Sequence, residues 1–296
     1  MGLFKKENAA PQVQQTEYFT ELGTPITDWD KRDQEITREQ YDHLCTVLRT
    51  AEAIYCPFSL RTGEPYLYMD VLHDEEGYGF GRSRIQVWTE EENARLAPLF
   101  QKPEVEVVRI DAGEGGREIP AFLGMAFYEN GAEYADINGV SFHVAAEDIL
   151  PRPDLSQIPQ HQRPVMNPQI QRWQCHLLQL AGAESSLKRD LEELYLMRLG
   201  NALRSGKLLL PLQVEGNPGE VGSSFSLPAW AGRNGREYVR VFTDWRRLRK
   251  GMDPKINWSA NTETAGSLIK DYDLSLNSGL YINQALYHMI CEDQGN

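Results

Sequence analysis

The chain has 296 residues, 41% of them apolar and 25% charged, the make-up of a soluble globular protein with room for two domains of about 100–150 residues each. No apolar run approaches the roughly 18–20 residues that a membrane-spanning helix needs. The net charge of −13 is uneven: residues 1–155 carry 14 Lys+Arg against 29 Asp+Glu, and residues 156–296 carry 16 against 14. So acidic a chain repels nucleic acid and anionic lipid, which disfavours both as partners.

Residues 1–15 hold two lysines but no apolar core segment, so they read as a disordered tail and not as a signal peptide. Next, Thr37-Arg38-Glu39-Gln40 has the form of a capping box. Behind it Tyr41, Leu44, Leu48 and Ala51 fall on one helical face. A strand is predicted over Ala53–Phe58. Two more are predicted over Tyr66–Leu72 and Arg84–Trp88, joined by the acidic, glycine-rich "HDEEGYGFG", whose glycines read as a turn. "IQVWTEEENARL" (Ile85 to Leu96) is then a strand-to-helix corner. Thr89 is its expected cap, with Glu90, Glu91 and Glu92 on the positive end of the helix. "YADINGVSFHVAAEDIL" (Tyr134 to Leu150) gives a strand, a glycine turn and a further apolar–polar segment.

"PRPDLSQIPQHQRPVMNPQ" (Pro151 to Gln169) has many prolines and no periodicity, so it reads as a linker. Trp173, Leu177 and Leu180 place a helix over 170–181, packed onto the C-terminal part of the chain. Leu187, Leu191, Leu194, Leu199 and Ala202 predict another. Strands are expected over Lys207–Val214, Ser224–Trp230 and Glu237–Phe242, the last two joined by a hairpin at Asn234-Gly235. "VRVFTDWRRLRKG" (Val239 to Gly251) is a second strand-to-helix corner, with Thr243 or Asp244 as its cap.

These two corners stand at an offset of 154, and the same offset carries Pro57 onto Pro211. Farther on, "YADING" aligns with "YDLSLNSG", with Asn138 matching Asn277. Three landmarks in one order predict an internal duplication: residues 16–150 as an acidic copy, 151–169 as linker, and 170–296 as the second copy. The first copy holds about fifteen extra residues, expected within "RIDAGEGGREIP" (Arg109 to Pro120).

Leu203, the "LLLPL" strand (Leu208 to Leu212), "VFTDWRRL" (Val241 to Leu248) and "DYDLSLN" (Asp271 to Asn277) resemble the SseB-like N-terminal domain family of bacterial proteins. The resemblance covers about Leu187 to Cys291, and the first copy looks like a diverged instance. It implies an α+β fold, a small mixed and largely antiparallel sheet flanked by helices in each of two tandem domains. It supplies no catalytic residue, cofactor or metal.

The residues themselves add no catalytic set. There is no phosphate-binding P-loop and no metalloprotease or nucleophile-elbow motif. The four cysteines, Cys45, Cys56, Cys175 and Cys291, have neither zinc-site nor disulfide spacing and read as reduced core thiols in the cytoplasm. Cys175 and His176 are chain neighbours, which point apart on a helix. His73-Asp74-Glu75-Glu76 offers at most a weak surface cation site.

The sharpest feature is the charge contrast between the corners, acids after Thr89 and arginines after Thr243. It admits two functional readings. The corners could face one another in a closed two-lobed molecule, or Trp245, Arg246, Arg247 and Arg249 could form an exposed docking patch for an acidic protein or an anionic ligand. The expected function is a non-enzymatic cytosolic binding or regulatory protein. The alternatives are an accessory or immunity-type protein masking a basic partner, and an enzyme using a cleft between the copies.

Overall fold

The computed structural model describes residues 17–20, 37–74, 77–139, 143–159, 162–181, 187–216, 223–232 and 234–291. The expected tail, Glu75, Glu76, His161 and Arg233 lie outside them.

In the N-terminal half, β1 (Glu17–Thr20) precedes α1 (Arg38–Thr50), β2 (Ala53–Ser59), β3 (Glu64–Pro65), β4 (Asp70–Asp74), β5 (Gly77–Phe80) and β6 (Arg84–Val87). Then come α2 (Glu91–Leu96), β7 (Val105–Asp111), α3 (Glu118–Gly124) with a π-helical turn over Met125–Glu129, β8 (Tyr134–Ile137), β9 (His143–Ala145) and α4 (Ala146–Ile149). In the C-terminal half α5 (Pro168–Ala181) and α6 (Lys188–Ser205) lead to β10 (Lys207–Glu215), β11 (Ser224–Ser226), β12 (Trp230–Ala231) and β13 (Glu237–Val241). The chain closes with α7 (Trp245–Gly251), β14 (Trp258–Thr264), α8 (Ala265–Leu268), β15 (Asp273–Leu276), β16 (Leu280–Ile282) and α9 (Gln284–Cys291). This is the α+β architecture the sequence implies, with small sheets of mostly antiparallel strands.

The capping box forms at the start of α1. Thr37 Oγ1 accepts from the Gln40 N–H, and Gln40 Oε1 accepts from the Thr37 N–H at 2.9 Å. Leu48 and Cys45 of α1 enter the core, with Tyr41, Leu44 and Ala51 at its margin. On α6 the buried stripe is Leu191, Tyr195, Leu199 and Ala202; Tyr195 takes the inner place expected for Leu194, which is only half-buried.

The two halves trace the same path. A long strand pairs antiparallel with a later one, β2 with β7 and β10 with β14. The corner strand pairs parallel with a strand that returns antiparallel, β6–β8–β9 in one half and β13–β15–β16 in the other. One antiparallel bridge joins each long strand to its corner, Tyr55 to Trp88 and Leu209 to Phe242.

Four expectations need correction. "GYGFG" is not a turn: Gly77–Phe80 is β5, paired with β4. The extra residues of the N-terminal half begin where expected, after β7 ends at Asp111, but they run on past Pro120 through α3 and its π-turn, where the other half has only the four-residue α8. The strand expected over Ser224–Trp230 is broken at Leu227–Ala229, because Pro228 has no N–H to give a ladder. The Asn234-Gly235 hairpin is present, but only Gly235 is left-handed (φ 79°). There Gly232 N–H donates to the Arg236 carbonyl and Gly235 N–H to the Gly232 carbonyl, a longer turn than the two-residue one.

The halves share their cores. The largest apolar cluster is built on α6, β10, β13 and β15, yet it includes Met69 and Val71 from the N-terminal half, with Tyr78 and Phe80 packed against it. Phe80 meets Trp173 and Tyr195 at ring-centre distances of 5.9 and 5.3 Å. Helix α5 packs on the second half as expected, and on the first half as well. Ile170, Leu177 and Leu180 enter the C-terminal core and Cys175 the N-terminal one. Its buried polar groups are bonded on both sides: His176 to Ser83 Oγ at 3.1 Å, and Gln174 Nε2 to the Leu276 carbonyl at 3.0 Å. The Gln179 amide, its oxygen and nitrogen assigned by the groups they face, bonds the N–H and carbonyl of Leu67.

Candidate functional site

The repeated Thr of each corner meets the repeated Asn of the later landmark. Asn138 Oδ1 accepts from the Thr89 N–H at 2.8 Å, and Asn277 Oδ1 from the Thr243 N–H at 3.0 Å. Both asparagines are left-handed, φ 53° and 50°, a conformation Asn tolerates better than most residues. Thr89 therefore does not cap α2, whose first residue comes after Glu90 with no side-chain cap. Asp244 does cap α7, accepting from the Arg247 N–H at 2.9 Å.

That cap fixes what α7 presents. Leu248 and Arg247 turn inward, Trp245 and Arg249 turn out, and Lys250, also exposed, faces the N-terminal half near Gly63. The four residues singled out in the sequence therefore separate. Trp245 is 38% exposed and Arg249 is exposed. Arg247 is buried, so the expectation of one solvent-facing patch of four does not hold. Arg247 pairs with Asp244, with Asn130, and with Glu64 at 3.2 Å. Arg246 is mostly covered and reaches Glu129 at 2.6 Å and Glu64 at 2.9 Å. Burial lowers the affinity of its guanidinium for a proton, but Glu64 and Glu129 outweigh that and hold its pKa above the ordinary arginine value.

Glu64 starts β3 in the N-terminal half, Glu129 ends the π-turn there, and Asn130 follows it. The arginines of one corner are thus claimed by the other half, though not by its acidic corner. The sequence offered no signal for this. Glu64, Glu129 and Asn130 sit in no motif, and the contact spans more than a hundred residues.

Beside this cluster a cavity of about 280 Å³ opens between the halves. Arg61, Thr62 and Glu64 line one wall, Arg247, Lys250 and Ser278 another, and α5 contributes Gln171, Gln174 and Cys175. The amides are committed: Asn277 Nδ2 donates to Gln171 Oε1 and Gln174 Oε1, each at 2.7 Å. Burial pushes the Cys175 thiol up to about 12, which leaves almost no thiolate near neutrality to act as a nucleophile.

A second buried cluster joins Arg84, 2.7 Å from Asp70, to His143 at 2.9 Å, with His143 Nδ1 2.5 Å from Asp136. It crosslinks β4, β6, β8 and β9, and Arg84 stacks over the Tyr68 ring at 4.7 Å. Among the described residues no three His, Cys, Asp or Glu side chains converge as a metal site, and no helix is long and apolar enough to cross a membrane. Of the weak cation site predicted on residues 73–76, His73 stacks on Tyr78 at 4.5 Å.

The path of the C-terminal half and its Thr–Asn corner define a small α+β domain built on strand-to-helix junctions. Residues 186–279 match the family model for the SseB protein N-terminal domain, so this half contains an SseB-like domain. The match includes α7 and Asn277. No curated protein matches the chain. Among solved structures the chain is similar to Anabaena Tic22, described as a protein of protein transport, at 12% identity over 79% of this chain and 86% of that one, with a TM-score of 0.18.

Proposed function

We propose that this is a non-enzymatic binding or regulatory protein, arisen by internal duplication of an SseB-like unit, whose partner is a protein docked on the outer face of α7. The carrying observation is Trp245, a large apolar side chain left 38% exposed in the domain that matches the family model, beside the exposed Arg249. Tryptophan and arginine are enriched where interfaces gain most of their energy. The shared chain path and the repeated Thr–Asn bond support the duplication. Arg246 and Arg247 enter this reading only as the internal pair that holds α7 in place.

The test compares the full chain with a Trp245→Ala/Arg249→Glu variant as bait at low salt. A partner bound stoichiometrically by the wild type, at least tenfold more weakly by the variant and released by added salt supports the reading. Equal binding by both baits, or turnover of a small molecule by the purified chain, refutes it.

A further inference from the structure

The two walls of the junction cavity each bring a cation that has no carboxylate partner among the described residues. Arg61 comes from the loop between β2 and β3 of the N-terminal half, and Lys250 from the last turn of α7. They lie on facing segments, for a Cβ built at Gly63, two residues beyond Arg61, would stand 3.3 Å from Lys250 Nζ. The carboxylate in the lining, Glu64, is already engaged by Arg246, Arg247 and Asn130. Thr62 Oγ1 accepts from the Glu64 N–H, which leaves its own hydrogen to donate. Ser278, also in the wall, is a second consecutive left-handed residue after Asn277, φ 57°, where the matching turn of the other half has Gly139, φ 69°. A side chain is kept there against its backbone preference, a kind of strain that collects at functional sites. In a chain of net charge −13, this is a cation-rich concavity of about 280 Å³, just below the roughly 300–1,000 Å³ of drug-sized ligand sites and large enough for a small anionic group.

We propose that the cavity binds a small oxyanion, a phosphate or carboxylate group on a molecule of metabolite size, held between Arg61 and Lys250 with hydroxyls of Thr62 and Ser278 around it. Because the two cations belong to different halves, the ligand ties the halves together. The site is separate from the outward Trp245, so anion binding and partner capture are measured independently.

The experiment titrates the full chain with inorganic phosphate and, in parallel, succinate, at ionic strength held constant with sodium chloride. Heat of binding and Tm are both read. A saturable heat and a Tm rising with the logarithm of probe concentration are expected. Arg61→Gln or Lys250→Met each weakens binding at least tenfold, and Lys255→Met, an exposed lysine outside the cavity, leaves it unchanged. A response to phosphate alone assigns a phosphate-bearing ligand, and one to succinate alone a carboxylate. Ser278→Gly relieves the left-handed strain. It is expected to melt higher without probe and to bind at least threefold more weakly, which keeps the test open should a charge variant fail to fold. No saturable response beyond chloride with either probe, equal loss in Lys255→Met, or unchanged affinity in Ser278→Gly overturns the assignment.

Discussion

Asn138 and Asn277 make the same bond in different surroundings. Asn138 is exposed, and among the described residues its amide bonds only Thr89. Asn277 is half-buried and donates to two glutamines of α5 as well. Replacing it strands Gln171 and Gln174 inside the protein, and a buried acceptor left unmade costs about 1–3 kcal/mol. Asn277→Ala is therefore expected to cost about 2–4 kcal/mol in urea unfolding and Asn138→Ala about 1 kcal/mol; equal losses would contradict this account. Asp273 gives a second residue-scale expectation. Burial raises its pKa, but hydrogen bonds from Tyr281 (2.6 Å), Asn234 (2.8 Å) and the Gln284 N–H, with the charge of Arg236, bring it below the usual carboxylate value. A depressed folded pKa favours the folded state once the unfolded carboxyl has ionised, so this stability is complete above about pH 4. It is lost as pH falls through the folded pKa. Asp273→Asn should be less stable than wild type at pH 7, with the gap narrowing from pH 4 downward; a constant gap would remove the carboxylate from the explanation.

At the scale of elements, α7 is a seven-residue helix held mainly by its side chains. Arg247 sits among Asp244, Glu64 and Asn130, and Glu64 is 4% exposed. Removing one partner of a buried pair leaves an uncompensated charge, which costs roughly 3–5 kcal/mol. Arg247→Met should lose that much in chemical denaturation, and Glu64→Gln in the same chain should recover part of it. Arg246→Met should lose less, since its side chain is 35% exposed and water screens the charges it leaves. No recovery in the Arg247/Glu64 cycle would mean that the two act separately. Much of this element was legible in the sequence. The Thr-Asp cap, the β-alternation before it and the Asn of the third landmark are local patterns, and all appear in place. The partners of the arginines were not legible, because Glu64, Glu129 and Asn130 are brought near only by tertiary packing. The glycines of β5 misled for a related reason. Glycine marks a turn by its freedom, but at Gly79 a Cβ would only touch Leu72 of the paired strand, at 3.7 Å, so pairing overrides the local preference.

For the whole molecule the question is whether the two halves unfold together. Two copies joined by a proline-rich stretch suggest independent domains, and a chain of this length commonly shows more than one transition. The packing argues otherwise. Met69 and Val71 of the N-terminal half are nearly inaccessible to solvent within the core of the C-terminal half. Helix α5, the first helix after the stretch read as a linker, gives side chains to both cores and hydrogen bonds to both walls. Separating the halves would expose the β4–β5 face together with buried glutamines, a histidine and the Arg247 cluster, so neither half has a complete core alone. Scanning calorimetry and tryptophan fluorescence should therefore report a single coincident transition for the full chain. The β4–β5 arm is the place to break the coupling. Phe80 fills the space between Trp173 and Tyr195, and its removal leaves a cavity at the contact without touching a charge. Phe80→Ala is expected to cost about 2–3 kcal/mol, somewhat below the range for a fully buried Phe because Phe80 is only half-buried. It should also broaden the calorimetric peak or split it in two, as the C-terminal core melts ahead of the rest. Two transitions already present in the wild type would show that the shared core does not couple the halves.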